Sequence, residues 1–349
     1  MQDRVWREVN LNNIKSNFEL IKEKAKGSKI CCVIKDNAYG HGALRLAKFY
    51  EELKADYFAV SNLNEALELR DGGIETQILI LGYTSVEFAK VLNEKAITQC
   101  VYSLDYAKEL NKQNIKVKCH LKIDSGMNRI GFKDIDEMEE ACKLPNLYFE
   151  GVFTHFALSE EEEFTKQQFD TFMSFIGELD SRGIEFDIRH CANSGSLFRY
   201  HEYNLDMVRP GIVLYGLGGY KGLKQALKLK SIISHIKTVH KGETIGYNRC
   251  FTAKNDIRVA TVPIGYGDGY LRINSGKNTI NVNGKEANIL GNICMDQLMI
   301  DVSDIECNVL DVVTIYGDLE KIAANIDTIS YELICSIDNR VPVIYKIED

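Results

Sequence analysis

The chain has 349 residues, 45% hydrophobic and 26% charged, with a formal net charge of −8 at pH 7. This length suits two domains, and the composition is that of a soluble protein with a sizeable core. With no Lys/Arg stripe, the acidic balance argues against nucleic acid as a partner. No run of about eighteen apolar residues marks a membrane span, and residues 1–7 lack a secretion signal's apolar core. The ten cysteines are dispersed and form no Cys-x-x-Cys pair, which fits reduced thiols in the cytoplasm and no metal centre.

Residues 5–11 alternate as a strand, and Asn12 or Asn13 then caps a helix carrying Ile14, Phe18, Leu20 and Ile21. An apolar run over 30–34 delivers Lys35 into a polar turn containing Gly40 and Gly42, with a helix from near Ala43. Short apolar runs recur at 56–60, 77–81, 99–102, 117–123, 149–154, 188–191 and 205–208, which with the lysine strand makes eight. Helical patterns at 63–70, 86–92, 106–110 and 163–179 lie between them, and the acidic run 160–163 suits the start of the last. Alternation of this kind predicts an α/β (β/α)8 TIM barrel; the rival, an open doubly wound sheet, lacks a Gly-x-Gly-x-x-Gly after an early strand. From about 227 strands dominate, at 231–236, 257–262, 279–282, 286–290 and 312–316. The chain thus divides into a barrel, 1–226, and a mostly β domain, 227–349, which the strand near Val5 is a candidate to join.

The residues just past the barrel strands are chemically unusual. Lys35 and Tyr39 follow the first, the segment 124–129 the fifth, His155 the sixth, Asn193 and Ser194 the seventh, and Arg209-Pro210-Gly211-Ile212 the eighth. All fall on the face where barrel enzymes keep their chemistry, and the last two loops are frequent phosphate sites. The Ser194 hydroxyl and the Gly211 and Ile212 N–H groups suit a phosphate dianion, with Tyr39 a further donor. Singly, a lysine closing a strand is usually solvated and a lone histidine usually belongs to the core. The functional reading rests on their coincidence.

The string Val33-Ile34-Lys35-Asp36-Asn37-Ala38-Tyr39-Gly40-His41-Gly42 closely resembles the pyridoxal-phosphate lysine motif of alanine racemases. His190-Cys191-Ala192-Asn193-Ser194, Met207-Val208-Arg209-Pro210-Gly211-Ile212, Ile264-Gly265-Tyr266-Gly267-Asp268-Gly269 and Cys294-Met295-Asp296-Gln297 resemble the family's other signatures, in its order. The resemblance implies bound pyridoxal 5'-phosphate and a head-to-tail homodimer with shared active sites. It makes Lys35 the cofactor anchor and one base, and Tyr247, from the second subunit's β domain, the other; the usual Ser-Tyr-Gly there is Gly-Tyr-Asn. A phenol with its ordinary pKa of about 10 is a poor base at neutrality, and His155 and Arg209 resemble the network that favours its phenolate. By the same resemblance Arg209 faces the pyridine nitrogen, Arg129 and the Met295 N–H from the other subunit hold the substrate carboxylate, and Tyr266 lies on the substrate side. Lys122 matches a lysine often carbamylated in the family.

One departure bears on the substrate. Many alanine racemases carry a tyrosine immediately before Arg-Val-Pro, where this chain reads Asn339-Arg340-Val341-Pro342. An amide leaves room for a hydroxymethyl group and can hydrogen-bond it. Asn339 resembles the serine racemase domain of vancomycin-resistant enterococci, which implies racemisation of serine as well as alanine, and a membrane domain preceding Met1 in a full-length protein whose cytoplasmic part is this chain. A plain alanine racemase is the alternative; a decarboxylase of the same fold or a non-catalytic pyridoxal-phosphate carrier fits the motif set less well.

Overall fold

The computed structural model describes residues 4–347. The chain forms two compact units, one made of Lys15–Ala38 and Gly42–Leu223, the other of Met1–Ile14, Tyr39–His41 and Lys224–Asp349.

Strand β1 (Val5–Asn10) belongs to the second unit, and the helix Leu11–Ala25 follows it directly. The helix is capped by Asn10, whose side chain accepts from Asn13 N at 2.9 Å, ahead of the expected Asn12 or Asn13.

The first unit contains β2 (Lys29–Val33), β3 (Tyr57–Val60), β4 (Gln77–Ile80), β5 (Ile97–Val101), β6 (Val117–Lys122), β7 (Leu147–Phe153), β8 (Ile188–His190) and β9 (Met207–Val208). They pair in parallel in the order β8-β7-β6-β5-β4-β3-β2-β9. Hydrogen bonds from Asp206 N to Arg189 O (3.1 Å) and from Arg209 N to Ala192 O (2.9 Å) tie the last strand back to β8, closing a TIM-like barrel. β3 and β5 are buried at every position, as strands packed on both faces must be. The helices between them turn an apolar stripe inward; Ala43–Glu52 buries Ala43, Leu46, Ala47 and Tyr50, spaced at a helical repeat. The helix Glu162–Ser181 carries Glu162 and Glu163 in its first turn.

In the second unit one nine-stranded sheet runs β11-β14-β17-β16-β15-β18-β10-β1-β19. Its members are β1, β10 (Leu227–Ile232), β11 (His235–Val239), β14 (Ile257–Val262), β15 (Thr279–Val282), β16 (Lys285–Leu290), β17 (Leu298–Asp301), β18 (Val312–Tyr316) and β19 (Val343–Lys346), while β12 (Thr244–Ile245) and β13 (Phe251–Thr252) form a separate ribbon. The strand expected at 231–236 is two strands broken at Ile233 and Ser234, and β17, β19 and the ribbon are additions. β1 pairs antiparallel with β10 and parallel with β19, contacts between distant segments that no local pattern encodes. Among the described residues no helix is long and apolar enough to cross a membrane.

Candidate active site

Lys35 stands just beyond a firmly held strand end. Val33 N donates to Pro210 O and Ile34 N to Ala59 O, each at 2.9 Å, and the Tyr215 hydroxyl donates to Val33 O at 3.1 Å. The expected glycine turn, with φ 75° at Gly40 and 94° at Gly42, is preceded by a left-handed run of ordinary residues: φ is 52° at Asp36, 53° at Asn37, 54° at Ala38 and 50° at Tyr39. Such a conformation costs roughly 1–2 kcal/mol per non-glycine residue and persists only where its surroundings impose it. Asp36 N donates to Glu65 Oε1 (2.7 Å), Ala38 N to Ile34 O (2.9 Å) and Ala43 N to Asn37 Oδ1 (2.8 Å). The side chain of Lys35 is left half-buried at the barrel's C-terminal mouth.

The neighbouring cation is Arg209, buried to 4% exposure. Its guanidinium donates to Thr154 O at 2.7 Å, Cys191 O at 3.2 Å and His190 Nδ1 at 2.8 Å, all uncharged acceptors, and lies over the Phe153 ring at 5.2 Å. Lys122, buried at the end of β6, sits over the same ring at 4.9 Å. Burial, then the charge of Arg209, lowers its pKa to about 7. His155 is held well below the ordinary histidine range by burial and by Arg209, Lys122, Arg129 and Lys35, so it is neutral at pH 7. Arg129 is exposed on a loop shaped by Asp124, whose carboxylate accepts from the N–H groups of Gly126 and Asn128, each at 3.0 Å.

The last two barrel loops meet at Ser194, whose Oγ accepts from Gly211 N at 2.9 Å; Ile212 follows at the start of a short 3-10 turn. Asn193 caps the helix Ser194–Arg199, accepting from Ser196 N at 3.0 Å and from the Ser159 hydroxyl at 2.8 Å. Ser194 is the first residue of the helix so capped. A half-buried amine, a buried arginine, and a serine hydroxyl beside glycine backbone form a donor set that fits pyridoxal phosphate, with its carbonyl, ring nitrogen and dianionic phosphate.

Tyr39 groups with the second unit, where its ring meets Tyr331 edge-on at 5.9 Å. Next to it Gly40 has φ 75°, accepts from Arg7 Nη1 at 2.9 Å and approaches Ile334 O so closely that a Cβ would lie at 2.5 Å. In the same unit Tyr247 is 69% exposed and adjoins a groove of about 680 Å³ lined by Thr244, Gly246, Cys294, Gln297 and Met299. Asn292 Nδ2 donates to Tyr247 O at 3.2 Å, and Gly246, Asn248 and Arg249 all have positive φ. Met295 is 54% and Tyr266 44% exposed. Three distant motifs converge on the buried Asp268: it accepts from Gly265 N (3.0 Å) and Arg340 Nε (2.8 Å), while Arg340 Nη2 reaches Asp296 Oδ1 (2.9 Å). Arg4 adds two bonds at 3.0 and 2.6 Å. This convergence brings the backbone of Tyr266, Met295 and Asn339 into one cluster.

Residues 9–218 match the family described as alanine racemase, N-terminal domain, and residues 226–345 match alanine racemase, C-terminal domain. The chain belongs to the alanine racemase family. It is 39% identical over 368 residues to an alanine racemase of Desulforamulus reducens, covering 99% of this chain and 100% of that one. It is 42% identical over 363 residues to alanine racemase 2 of Caldanaerobacter subterraneus subsp. tengcongensis, covering 97% and 94%. The solved alanine racemase of Clostridium difficile 630 superposes with a TM-score of 0.95 at 39% identity, covering 100% of this chain and 97% of that chain. The racemase is a pyridoxal-phosphate-dependent isomerase. These relatives are named as alanine racemases, which supports the family and not the narrower likeness to the vancomycin-resistance enzymes drawn from Asn339. Met1, before which a membrane domain was expected, lies outside the described residues.

Sequence reading of the racemase missed Phe153, whose ring underlies both Arg209 and Lys122 and stacks on His190 at 4.8 Å. It also missed Gly195, where a Cβ would lie 2.7 Å from Ser159 Cβ, and Glu65, which holds the lysine turn. Only Gly195 had a local signal, a glycine at the second position of a helix.

Proposed function

We propose that this protein interconverts L- and D-alanine by a two-base proton transfer, with Lys35 on one face of the α-carbon and Tyr247 of a second subunit on the other. The observation that carries the reading is the cation-lined barrel mouth, where Lys35, Lys122 and Arg209 stand at the C-terminal ends of parallel strands and Arg129 on the loop after β6. That charge suits a phosphate ester together with an amino-acid carboxylate. Pyridoxal phosphate, when bound, supplies the electron sink that makes an α-proton removable. Lys35 anchors it and then holds or returns a proton at Nζ. Ser194, with the Gly211 and Ile212 loop, holds the phosphate. Arg209 donates toward the ring nitrogen without giving up its proton. Arg129 and the Met295 N–H of a second subunit orient the substrate carboxylate, and Tyr266 borders the substrate. Lys122, titrating near neutrality, is suited to carbamylation: its neutral amine adds to carbon dioxide, losing a proton, and the anion formed balances Arg129.

The homodimer is supported by the exposure of Tyr247, Met295 and Tyr266, groups that a soluble protein covers when they serve a shared site. Incubation with L-alanine in deuterium oxide tests the whole reading. Racemisation with α-deuterium incorporation is expected; carbon dioxide release or no turnover would overturn it.

Serine is the second substrate this reading admits, on the strength of Asn339. A hydrogen bond from its amide to the substrate hydroxyl is worth on the order of 1 kcal/mol, several-fold in rate. The ratio of kcat/KM for L-serine over L-alanine should fall several-fold in Asn339→Tyr. An unchanged ratio removes Asn339 as the determinant, and no serine turnover in the parent leaves a plain alanine racemase.

A further inference from the structure

The barrel interior below Arg209 is not apolar. Arg209 Nη1 donates to His190 Nδ1 at 2.8 Å; His190 Nε2 lies 2.9 Å from His120 Nδ1; His120 Nε2 lies 3.3 Å from Glu150 Oε2. Glu150 also accepts from the Tyr57 hydroxyl and, at 3.0 Å, from Lys118 Nζ. Tyr57 opens β3 and Lys118 lies near the start of β6, so the chain runs from the barrel's chemical mouth to its opposite end.

The roles along this chain follow from its two ends. Arg209 only donates, so His190 Nδ1 accepts and its proton sits on Nε2. His120 Nδ1 must then accept as well, leaving Nε2–H to donate to the Glu150 carboxylate. Both rings are fully buried, and burial lowers the pKa of each, so they stay neutral. Glu150 is held down to about 2: burial raises it, but the His120, Tyr57 and Lys118 donors outweigh that. Because arginine does not release its proton, the chain orders groups and conducts no proton.

The backbone is built for this arrangement. The pairing of β6 with β7 slips between Cys119 and His120, so Phe149 opposes Cys119, Gly151 opposes His120, and Glu150 is the extra residue of a bulge. Bulges re-aim side chains, and this one turns Glu150 toward donors from β3 and β6. Gly151 makes room, since a Cβ there would lie 2.7 Å from His120 Cε1.

We propose that Glu150 is a positioning residue for racemisation, fixing His120 and His190 as neutral Nε2–H tautomers and thereby holding the guanidinium of Arg209 in place. This rests on Arg209 serving the cofactor, and the test separates the two ideas. The first measurement is imidazole ¹⁵N NMR of the holoenzyme, and of the cofactor-free protein, labelled at histidine. Both rings should show a protonated Nε2 and an unprotonated Nδ1 across neutral pH, with or without cofactor. An Nδ1–H tautomer or an imidazolium at either ring would overturn the proposal, whatever the activity. The second is Glu150→Gln, which removes the anionic end while keeping an acceptor; kcat for L-alanine should fall about tenfold, as for other groups that orient a catalytic residue from behind, with KM nearly unchanged. Glu150→Asp should recover part of that loss. Unchanged kcat in a folded Glu150→Gln variant of a racemising parent would sink the positioning role while sparing the function; a fall in KM and kcat alike in both variants would mark Glu150 as merely structural.

Discussion

The two groups of site residues are held in opposite ways. In the barrel, Arg209 and Lys122 are buried and both lie against the Phe153 ring, and Arg209 is fixed by several bonds within one unit. In the β unit, Tyr247 is 69% exposed, and the bond from Asn292 reaches only its backbone carbonyl. The difference teaches that the barrel fixes the geometry of its candidate cofactor residues within one unit, while Tyr247, the second base of the proposed mechanism, is presented on an open surface.

The largest expected effect tests the barrel side. Lys35→Ala should abolish racemisation and covalent retention of the cofactor, read by borohydride reduction and mass spectrometry. A borohydride-reducible cofactor in that variant would mean another lysine is the anchor. Next, the open side is tested by complementation. Lys35→Ala mixed and refolded with Tyr247→Phe should regain activity, since one site per heterodimer then has both bases; verified heterodimers without activity would place both bases in one chain.

A smaller effect concerns pH. Lys122 is lowered from 10.5 to about 7 in the fold, by burial first, so the unfolded chain binds more protons than the folded one between those values. The penalty for burying the charged amine is full below about pH 7 and fades as pH rises toward 10.5. In carbon-dioxide-free buffer, Lys122→Met should therefore be more stable than the parent at mildly acidic pH, by on the order of a few kcal/mol, and lose that advantage in alkali. Urea unfolding at the two extremes checks the sign. The smallest effect is Asn193→Ala, which removes a helix cap and should cost about 1 kcal/mol by thermal unfolding. Cofactor affinity should weaken with it, because Ser194 begins that helix.

Periodicity sufficed for the barrel because most of its parallel strands are largely apolar runs and each helix repeats its stripe over a few turns, both local properties. The site was legible for a related reason: Lys35, His155, Ser194 and Arg209 each lie just past a strand, so strand order alone put them at one mouth. The β unit read less well. Its strands are short, the run at 231–236 is interrupted, and β17 and β19 lie beside turn-rich segments where period-two alternation lasts only a few residues.

By itself, then, the sequence determined the fold class and the family and named the candidate site residues, because those depend on local pattern and on motif strings. Only tertiary structure decided that β1 pairs with β10 and β19, that the turn after Lys35 is left-handed, and that Glu150 reaches His120. Each of these depends on groups far apart in the chain: sheet neighbours for β1, Glu65 for the turn, a slipped strand register for Glu150. A local pattern carries no term for a partner it does not contain, and positive φ at Asp36, Asn37 and Ala38 runs against local preference, so only the surrounding contacts could select it.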